Sequence, residues 1–145
     1  MTNDNIRPAR IAPVEKPQQL EGSLGLELIE VDQLVKATQA RELFNVDGSG
    51  CAVAVLDTGL RTTHVDFDGR VVAHKNFTSD NNGDPDDASD GNGHGTNVAG
   101  IIASGGIHTG IAPKANVIPI KVLGNDGSGS FAAARDALKW VKENR

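Results

Sequence analysis

One run of apolar residues constrains more than any other feature how this chain can fold. Residues 51–56 have the sequence Cys-Ala-Val-Ala-Val-Leu and end abruptly at Asp57-Thr58-Gly59. A strand with one face in solvent alternates apolar and polar residues, so an unbroken apolar run predicts a strand that is buried on both faces. Such strands belong to parallel sheets that are covered by helices on both sides. We therefore expect an α/β fold.

The rest of the pattern supplies those helices and further strands. Residues 31–44 have roughly helical apolar spacing, and we predict a short strand over residues 70–77, a helix of small residues that begins at His94 and a strand over residues 117–123 that contains Pro119. The last predicted helix follows residue 130, and its apolar face is Phe131, Ala134, Leu138 and Val141. This alternation is typical of a parallel sheet flanked by helices.

The predicted organisation has two parts. Residues 1–30 contain Pro8, Pro13 and Pro17 without any apolar period, which indicates an extended or leader-like arm. Two or three parallel strands leave an open apolar sheet edge, so we interpret residues 31–145 as an incomplete domain, truncated after its N-terminal part.

Composition narrows the possible partners. The net charge of −5 comes from 14 basic and 19 acidic residues, and no basic cluster suits a phosphate backbone, so we expect no nucleic-acid partner. No apolar run reaches membrane-spanning length, so we expect no membrane partner either. The first residues lack the apolar core of a signal peptide, which indicates an intracellular protein if Met1 is the native start; localisation is otherwise unknown.

His94 stands where a helix begins and has a glycine on each side. Unpaired N–H groups at a helix N-terminus disfavour an imidazolium, so we expect the ring to be neutral near pH 7 and able to accept a proton. Gly93 and Gly95 would let another chain or a substrate approach closely. A histidine that merely starts a helix is the alternative.

Asp57 follows the predicted buried strand, at the sheet edge where open α/β sheets place functional residues. Asp-Thr-Gly is also an ordinary turn sequence. However, an acid at a strand end and a histidine at a later helix start can meet across the top of a sheet. The carboxylate would then hold the imidazole in one tautomer and stabilise its protonated form.

Three segments together resemble the subtilisin-like serine peptidases. They are residues 54–59 (Ala-Val-Leu-Asp-Thr-Gly), residues 94–100 (His-Gly-Thr-Asn-Val-Ala-Gly) and residues 110–124, which begin Gly-Ile-Ala-Pro and end Val-Leu-Gly. The resemblance covers roughly residues 45–145 and implies the N-terminal half of a subtilisin-like catalytic domain. It implies a serine endopeptidase with an Asp-His-Ser triad, in which Asp57 is the aspartate and His94 the general base.

The resemblance also implies a substrate-binding edge. Gly127, Ser128 and Gly129 match the family's edge strand, which pairs with a polypeptide substrate in extended conformation, and Leu123 and Phe131 match positions that line an apolar pocket. Glycines suit this pairing because the two backbones must come within hydrogen-bonding distance. An ordinary surface turn is the alternative for these glycines.

The chain departs from the family in its nucleophile. The family's serine lies in a Gly-Thr-Ser-Met-Ala-like motif, and an oxyanion-hole asparagine precedes it; neither occurs in the 145 residues. Ser104, Ser128 and Ser130 stand in other contexts. We therefore predict that the chain alone cannot form an acyl-enzyme. The family's inhibitory propeptide is not recognisable in residues 1–45.

The resemblance implies no required cofactor, and the sequence predicts no other metal centre. The loop of residues 78–93 is nevertheless a possible calcium site, because it carries carboxylates and carbonyl groups; a solvated acidic loop is the alternative. Its acidic residues are Asp80, Asp84, Asp86, Asp87 and Asp90. His64, His74 and His108 lack the spacing of a zinc site.

Three other interpretations stay open at the level of sequence. Asp-Thr-Gly after an apolar strand is also the signature of aspartic peptidases, although that family is almost entirely β-structure. Residues 127–132 (Gly-Ser-Gly-Ser-Phe-Ala) fit a weak Gly-x-Gly-x-x-Ala nucleotide-binding pattern. The third interpretation is a non-catalytic relative that binds peptides.

Overall fold

The computed structural model describes residues 10–11 and 31–144. Strands Ala52–Asp57 (β2), Lys75–Asn76 (β3) and Asn116–Lys121 (β4) form a parallel sheet in the order β2-β4-β3. Strand Arg10–Ile11 (β1) pairs antiparallel with strand Gly129–Ser130 (β5). The helices are Ala37–Phe44 (α1), His94–Ala103 (α2) and Phe131–Glu143 (α3). The predicted α/β class, a parallel sheet flanked by helices, is confirmed.

The sheet is covered on both faces, as the apolar run requires. One face packs with α2 in a cluster that contains Val55, Val117 and Ala99. The other face packs with α3 in a second cluster that contains Ile120 and Ala137. Successive side chains of a strand point to opposite faces, so every residue of β2 before Asp57 is apolar.

Pro119 lies in the middle of β4, which is the central strand rather than an edge. The N–H and carbonyl of Val117 point towards residues 70–72, and the carbonyl of Lys121 points towards β3. Because hydrogen-bonding directions alternate along a strand, the nitrogen of Pro119 faces the same side. There residues 72–74 interrupt the neighbouring strand, so no ladder hydrogen bond is lost. The same interruption explains why the strand predicted over residues 70–77 is reduced to β3 and a bridge at Val71.

The first helical segment is broken rather than continuous. Residues 31–35 are helical, but Lys36 adopts a left-handed conformation with φ 57°, and α1 starts anew after it. The apolar face predicted for one helix over residues 31–44 is therefore not formed, and its side chains Leu34, Val35, Leu43 and Phe44 are exposed. Polar contacts hold this region instead: Arg41 donates to Asp32 Oδ1 and to the carbonyl of Ile111, both at 3.0 Å.

The face that α3 buries differs from the predicted one. Ala137 is fully buried, and Ala133, Trp140 and Val141 pack beside it, whereas Phe131 and Leu138 are 59% and 61% exposed. The prediction is right for Val141 and wrong for Phe131 and Leu138, because α3 carries apolar residues on two sides. Ser130 of β5 caps the helix directly by accepting from the N–H of Ala133 at 3.1 Å.

The predicted arm of residues 1–30 lies outside the described residues except for β1. Within the part of the chain that the structure describes, no helix combines the length and the apolar character that crossing a bilayer requires.

Candidate active site

The structure brings Asp57 and His94 into direct contact. Asp57 ends β2 and is 8% exposed, and His94 is the first residue of α2. His94 Nδ1 lies 2.8 Å from Asp57 Oδ1. A carboxylate at this distance favours the tautomer in which Nδ1 carries the proton, which leaves a lone pair on Nε2. The arrangement can therefore accept a proton at Nε2 and stabilise the imidazolium that forms.

Two glycines allow this contact. A Cβ atom on Gly95 would overlap the carbonyl oxygen of Gly59, and it would lie 3.1 Å from the nitrogen of Thr58. Gly59 has φ 112°, which side chains rarely adopt, and a Cβ there would overlap the carbonyl oxygen of Ala88. The space beside Gly95 is thus occupied by the chain's own turn at Gly59. The second chain or substrate that we expected there from the sequence has no room.

Each of the first three N–H groups of α2 donates a hydrogen bond to a side chain. The N–H of His94 donates to Asn92 Oδ1 at 3.3 Å, that of Gly95 to Thr58 Oγ1 at 2.8 Å, and that of Thr96 to Asp90 Oδ2 at 2.9 Å. Such groups have no partner within the helix itself. The capping therefore places His94 in a fixed orientation on the strand end.

Sequence reasoning missed Thr58 and Asp90. The sequence indicates Asp90 only as a possible calcium ligand, yet its half-buried carboxylate holds the start of α2. Burial opposes its ionisation, but hydrogen bonds from the Gly93 N–H and from Thr96 outweigh burial, and the pKa of Asp90 lies below its ordinary value. The signal in the sequence that could have identified Asp90 is its position, four residues before a histidine that starts a helix.

Four of the five predicted substrate-binding residues lie in a hairpin after β4, namely Leu123, Gly127, Ser128 and Gly129. Leu123 is buried and forms an antiparallel bridge with Gly129, and the N–H of Gly124 donates to the carbonyl of Ser128 at 2.7 Å. A Cβ on Gly129 would come within 2.6 Å of Leu123 Cδ2 and of the Val122 carbonyl oxygen. Gly127, with φ 78°, forms the turn. Phe131 starts α3 and is mostly exposed.

The outer edge of β5 takes up an extended segment. Arg10 of β1 lies opposite Ser130, and Ile11 lies opposite Gly129, in antiparallel register. The partner is the chain's own N-terminal segment. Of the edge predicted over residues 127–129, this pairing involves only Gly129, and pairing with a peptide substrate stays a prediction.

The carboxylates of the acidic loop have separate partners. Asp80 Oδ2 accepts from the N–H of Asn125 at 2.6 Å, Asp86 binds Lys75 Nζ at 2.7 Å, and Asp84 and Asp87 accept from backbone N–H groups within the loop. Among the described residues, no three His, Cys, Asp or Glu side chains lie together so that they could hold a metal ion. Calcium binding by the loop of residues 78–93 stays a prediction.

His64 and His108 both contact the buried residue Asp66. Asp66 Oδ2 lies 2.7 Å from His108 Nδ1, and His64 Nδ1 accepts from the N–H of Asp66 at 3.2 Å. Burial opposes the ionisation of Asp66, but hydrogen bonds from His108 and Ile107 lower its pKa overall. The sequence did not predict this cluster, which ties the loop after α2 to residues 64–66.

A carboxylate and an imidazole are thus paired at the carboxyl end of a parallel strand, and the hairpin that leads to β5 starts beside them, where the N–H of Leu123 donates to the carbonyl of Asp57. A sequence model of the subtilase family (Peptidase_S8) matches residues 48–145. The chain belongs to the subtilase family. This confirms the resemblance inferred from its three motifs.

Individual relatives agree with this assignment. The major intracellular serine protease of Bacillus subtilis is 39% identical over 127 residues, which cover 83% of this chain and 40% of the relative. The intracellular serine protease of Paenibacillus polymyxa is 44% identical over 107 residues, which cover 70% of this chain and 32% of the relative. The crystal structure of a cold-adapted subtilisin-like serine proteinase matches with a TM-score of 0.61 and 37% identity, over 69% of this chain and 34% of that one. The chain thus spans about a third to two fifths of the length of these proteins.

Two alternative interpretations of the sequence are wrong. The Asp-Thr-Gly segment ends a parallel strand in a helix-flanked sheet of the subtilase family, not a strand of an all-β aspartic peptidase. The Gly-Ser-Gly segment forms a hairpin turn and an edge strand, whereas the glycines of a dinucleotide site directly follow a strand.

Proposed function

We propose that this chain carries the aspartate and the histidine of a serine endopeptidase that hydrolyses peptide bonds by an Asp-His-Ser triad. The observation that carries the proposal is the 2.8 Å contact between His94 Nδ1 and Asp57 Oδ1. His94 Nε2 takes the proton of the serine hydroxyl as the serine attacks the substrate carbonyl. Asp57 holds the Nδ1–H tautomer and stabilises the imidazolium until the proton passes to the leaving amine.

The proposed substrate is a polypeptide in extended conformation. It pairs with the edge formed by Gly127, Ser128 and Gly129, and one of its apolar side chains lies against Leu123 and Phe131. The antiparallel pairing of β1 with β5 supports this, because an extended segment lies there opposite Gly129, one of the three residues of the proposed edge.

No serine of the 145 residues stands in a Gly-Thr-Ser motif, so the chain by itself is proposed to be inactive. Incubated with a fluorogenic peptide or a serine-directed phosphonate, it should show neither turnover nor labelling. Stoichiometric labelling of the 145-residue chain would contradict the proposal.

The proposed triad is tested in any longer product of the same gene that contains a Gly-Thr-Ser motif. There, His94→Ala should lower kcat by about 10⁶-fold, which is the loss that subtilisin itself shows when its triad histidine is removed. Asp57→Asn should cost about 10⁴-fold, as in other serine peptidases. Unchanged turnover of His94→Ala would reject the role of His94.

If the longer product contains no Gly-Thr-Ser motif but binds peptides through this edge, the protein is the non-catalytic relative that the sequence also allowed.

We also propose an intracellular location. The support is that the relatives from Bacillus subtilis and Paenibacillus polymyxa are named intracellular serine proteases. Fractionation of the native cells, with an antibody against residues 31–144, tests it; recovery in the culture medium would reject it.

A further inference from the structure

We propose that Asp90 is a positioning residue that aligns Asp57 with His94. The inference deepens the proposed function, since it rests on these two residues being the catalytic pair. Asp90 itself belongs to the loop that precedes α2. It acts through Thr58 and through the first turn of α2.

Five donors converge on the Asp90 carboxylate. Oδ1 accepts from Thr58 Oγ1 at 2.9 Å, from the N–H of Asn92 at 3.0 Å and from the N–H of Gly93 at 2.8 Å. Oδ2 accepts from the N–H of Thr96 at 2.9 Å and from Thr96 Oγ1 at 2.6 Å. Hydrogen bonds to an ionised acceptor are about twice as strong as those between neutral groups. The carboxylate therefore fixes the loop before His94 and the helical turn after it.

Thr58 connects this carboxylate to the pair. Its Oγ1 donates to Asp90 and accepts from the N–H of Gly95, the residue after His94. Its own N–H donates to Asp57 Oδ1 at 2.7 Å, which is the same oxygen that faces His94. Thr58 is completely buried. Any displacement of Thr58 therefore changes the position of the aspartate and of the histidine's helix together.

Asp90 determines the direction of the hydrogen bonds that the Thr58 hydroxyl makes, as well as their strength. A hydroxyl has one proton, and Thr58 Oγ1 must accept from Gly95, so its proton is free to go only to a second acceptor. The Asp90 carboxylate is that acceptor, and it orients the Oγ1 lone pair towards Gly95. An amide in place of the carboxylate has only one acceptor oxygen and so cannot serve both Oδ1 and Oδ2 donors.

Two roles are conceivable for Asp90, that of a helix cap and that of a positioning residue, and they predict different effects. A cap affects only how strongly α2 is held. A positioning residue also affects the hydrogen bond between His94 and Asp57, and that bond sets the tautomer of the imidazole ring. The readout is therefore the His94 tautomer ratio, measured from ring ¹⁵N shifts in the ¹⁵N-histidine-labelled 145-residue chain. A His94→Gln spectrum assigns the signal.

In the parent chain we expect the Nδ1–H tautomer to predominate. Asp90→Asn should change the tautomer ratio by about tenfold towards Nε2–H. It should also speed amide exchange of Thr96 by about tenfold or more, because a lost hydrogen bond to a charged group is worth at least one factor of ten. Amide exchange of Gly95 should become faster as well, because its acceptor, Thr58 Oγ1, is held by Asp90. Thr58→Val should produce the same shift, and Thr58→Ser, which keeps the hydroxyl, should restore the parent ratio.

The matched control is Asp84→Asn. Asp84 lies in the same loop, is exposed and also accepts from a backbone N–H two residues on, at 2.9 Å, so the change in net charge and turn type is the same. It should leave the His94 ratio unchanged. If Asp90→Asn folds with the parent ratio, the proposal is overturned, even if unfolding becomes easier.

A second pair of variants covers the case in which Asp90→Asn does not fold. Equal ratios in Thr58→Val and Thr58→Ser would then overturn the proposal. The measurement needs neither serine nor substrate. Failure of a longer protein to hydrolyse peptides would contradict the proposed function without affecting this result.

Discussion

The pair region (residues 57–59 and 90–96) and the edge region (residues 122–130) are built in opposite ways. In the pair region, side chains hold the backbone: Thr58, Asp90 and Asn92 each accept from an N–H at the start of α2. In the edge region, the backbone largely holds itself, since Gly124 donates to the carbonyl of Ser128 and Gly127 donates to the carbonyl of Gly124.

This difference matches the two tasks proposed for the regions. A proton relay needs two side chains at a fixed distance and orientation, so its supports are specific side chains. An edge that pairs with many different peptides must offer N–H and carbonyl groups and keep its own side chains out of the way. We therefore expect the pair region to respond to changes in side-chain chemistry and the edge region to respond to changes in backbone space.

The largest loss of stability is expected from replacing Lys121, which contacts both regions. Its completely buried ammonium donates to the carbonyl of Thr58 at 2.6 Å and to the carbonyl of Leu123 at 3.2 Å. Lys121→Met leaves both carbonyls unpaired, and we expect a loss of about 4 kcal/mol in the free energy of unfolding by urea. Lys139→Met, at an exposed position on α3, is the control and should cost under about 0.5 kcal/mol. Similar losses in both variants would contradict the linking role of Lys121.

The second largest loss of stability is expected from Gly95→Ala. The new methyl group would overlap the Gly59 carbonyl oxygen and push α2 away from the strand end, at a cost of about 3 kcal/mol. Gly100→Ala is the same substitution in the same helix, where the methyl group meets only Ser104 Oγ at 3.2 Å. It should stay within about 1 kcal/mol of the parent, because alanine favours the helix. Urea unfolding compares the two, and equal stabilities would mean that Gly95 is not needed for close approach.

The sequence predicted those parts of the molecule that depend on local pattern. The apolar run of residues 51–56 determines β2, and the end of that run marks Asp57. The glycines around His94 mark a helix start, and both residues lie where that reasoning placed them. The supports of the pair were not predicted, because their partners are distant in sequence: Thr58 meets Asp90 across 32 residues.

Lys121 and α3 show a second reason for missed features. A lysine in a strand is usually exposed, and only the convergence of three acceptors, one at Thr58 and two in residues 123–125, makes its burial favourable. In α3, apolar residues on two sides leave the buried face undecided until Ser130 fixes the start of the helix. In both cases the deciding information is the position of another segment, which periodicity does not contain.

Gly129→Ala tests the edge region through its backbone. A Cβ there would lie 2.6 Å from the Val122 carbonyl oxygen, so the bridge to Leu123 must open, and we expect a loss of about 2 kcal/mol in unfolding free energy. Ser128→Ala is the control: it removes only the hydroxyl bonds to Asp126 and should cost under about 1 kcal/mol. Urea unfolding measures both. A greater loss for Ser128→Ala would show that side chains, not backbone, hold this edge.

The smallest expected effect is a selective loosening of the pair region in acid. The pKa of Asp90 is lower in the folded chain than in the unfolded chain, so its contribution to stability is complete above about pH 4 and is lost as the pH falls through the folded value. The N–H of Thr96 donates to that carboxylate, whereas the N–H of Gly127 donates to the carbonyl of Gly124, which does not titrate. We expect the amide protection factor of Thr96 to fall below about pH 4 before that of Gly127, by NMR-detected exchange. Asp90→Asn should remove the pH dependence at Thr96, and a protection factor that falls equally in parent and variant would show that another group is responsible.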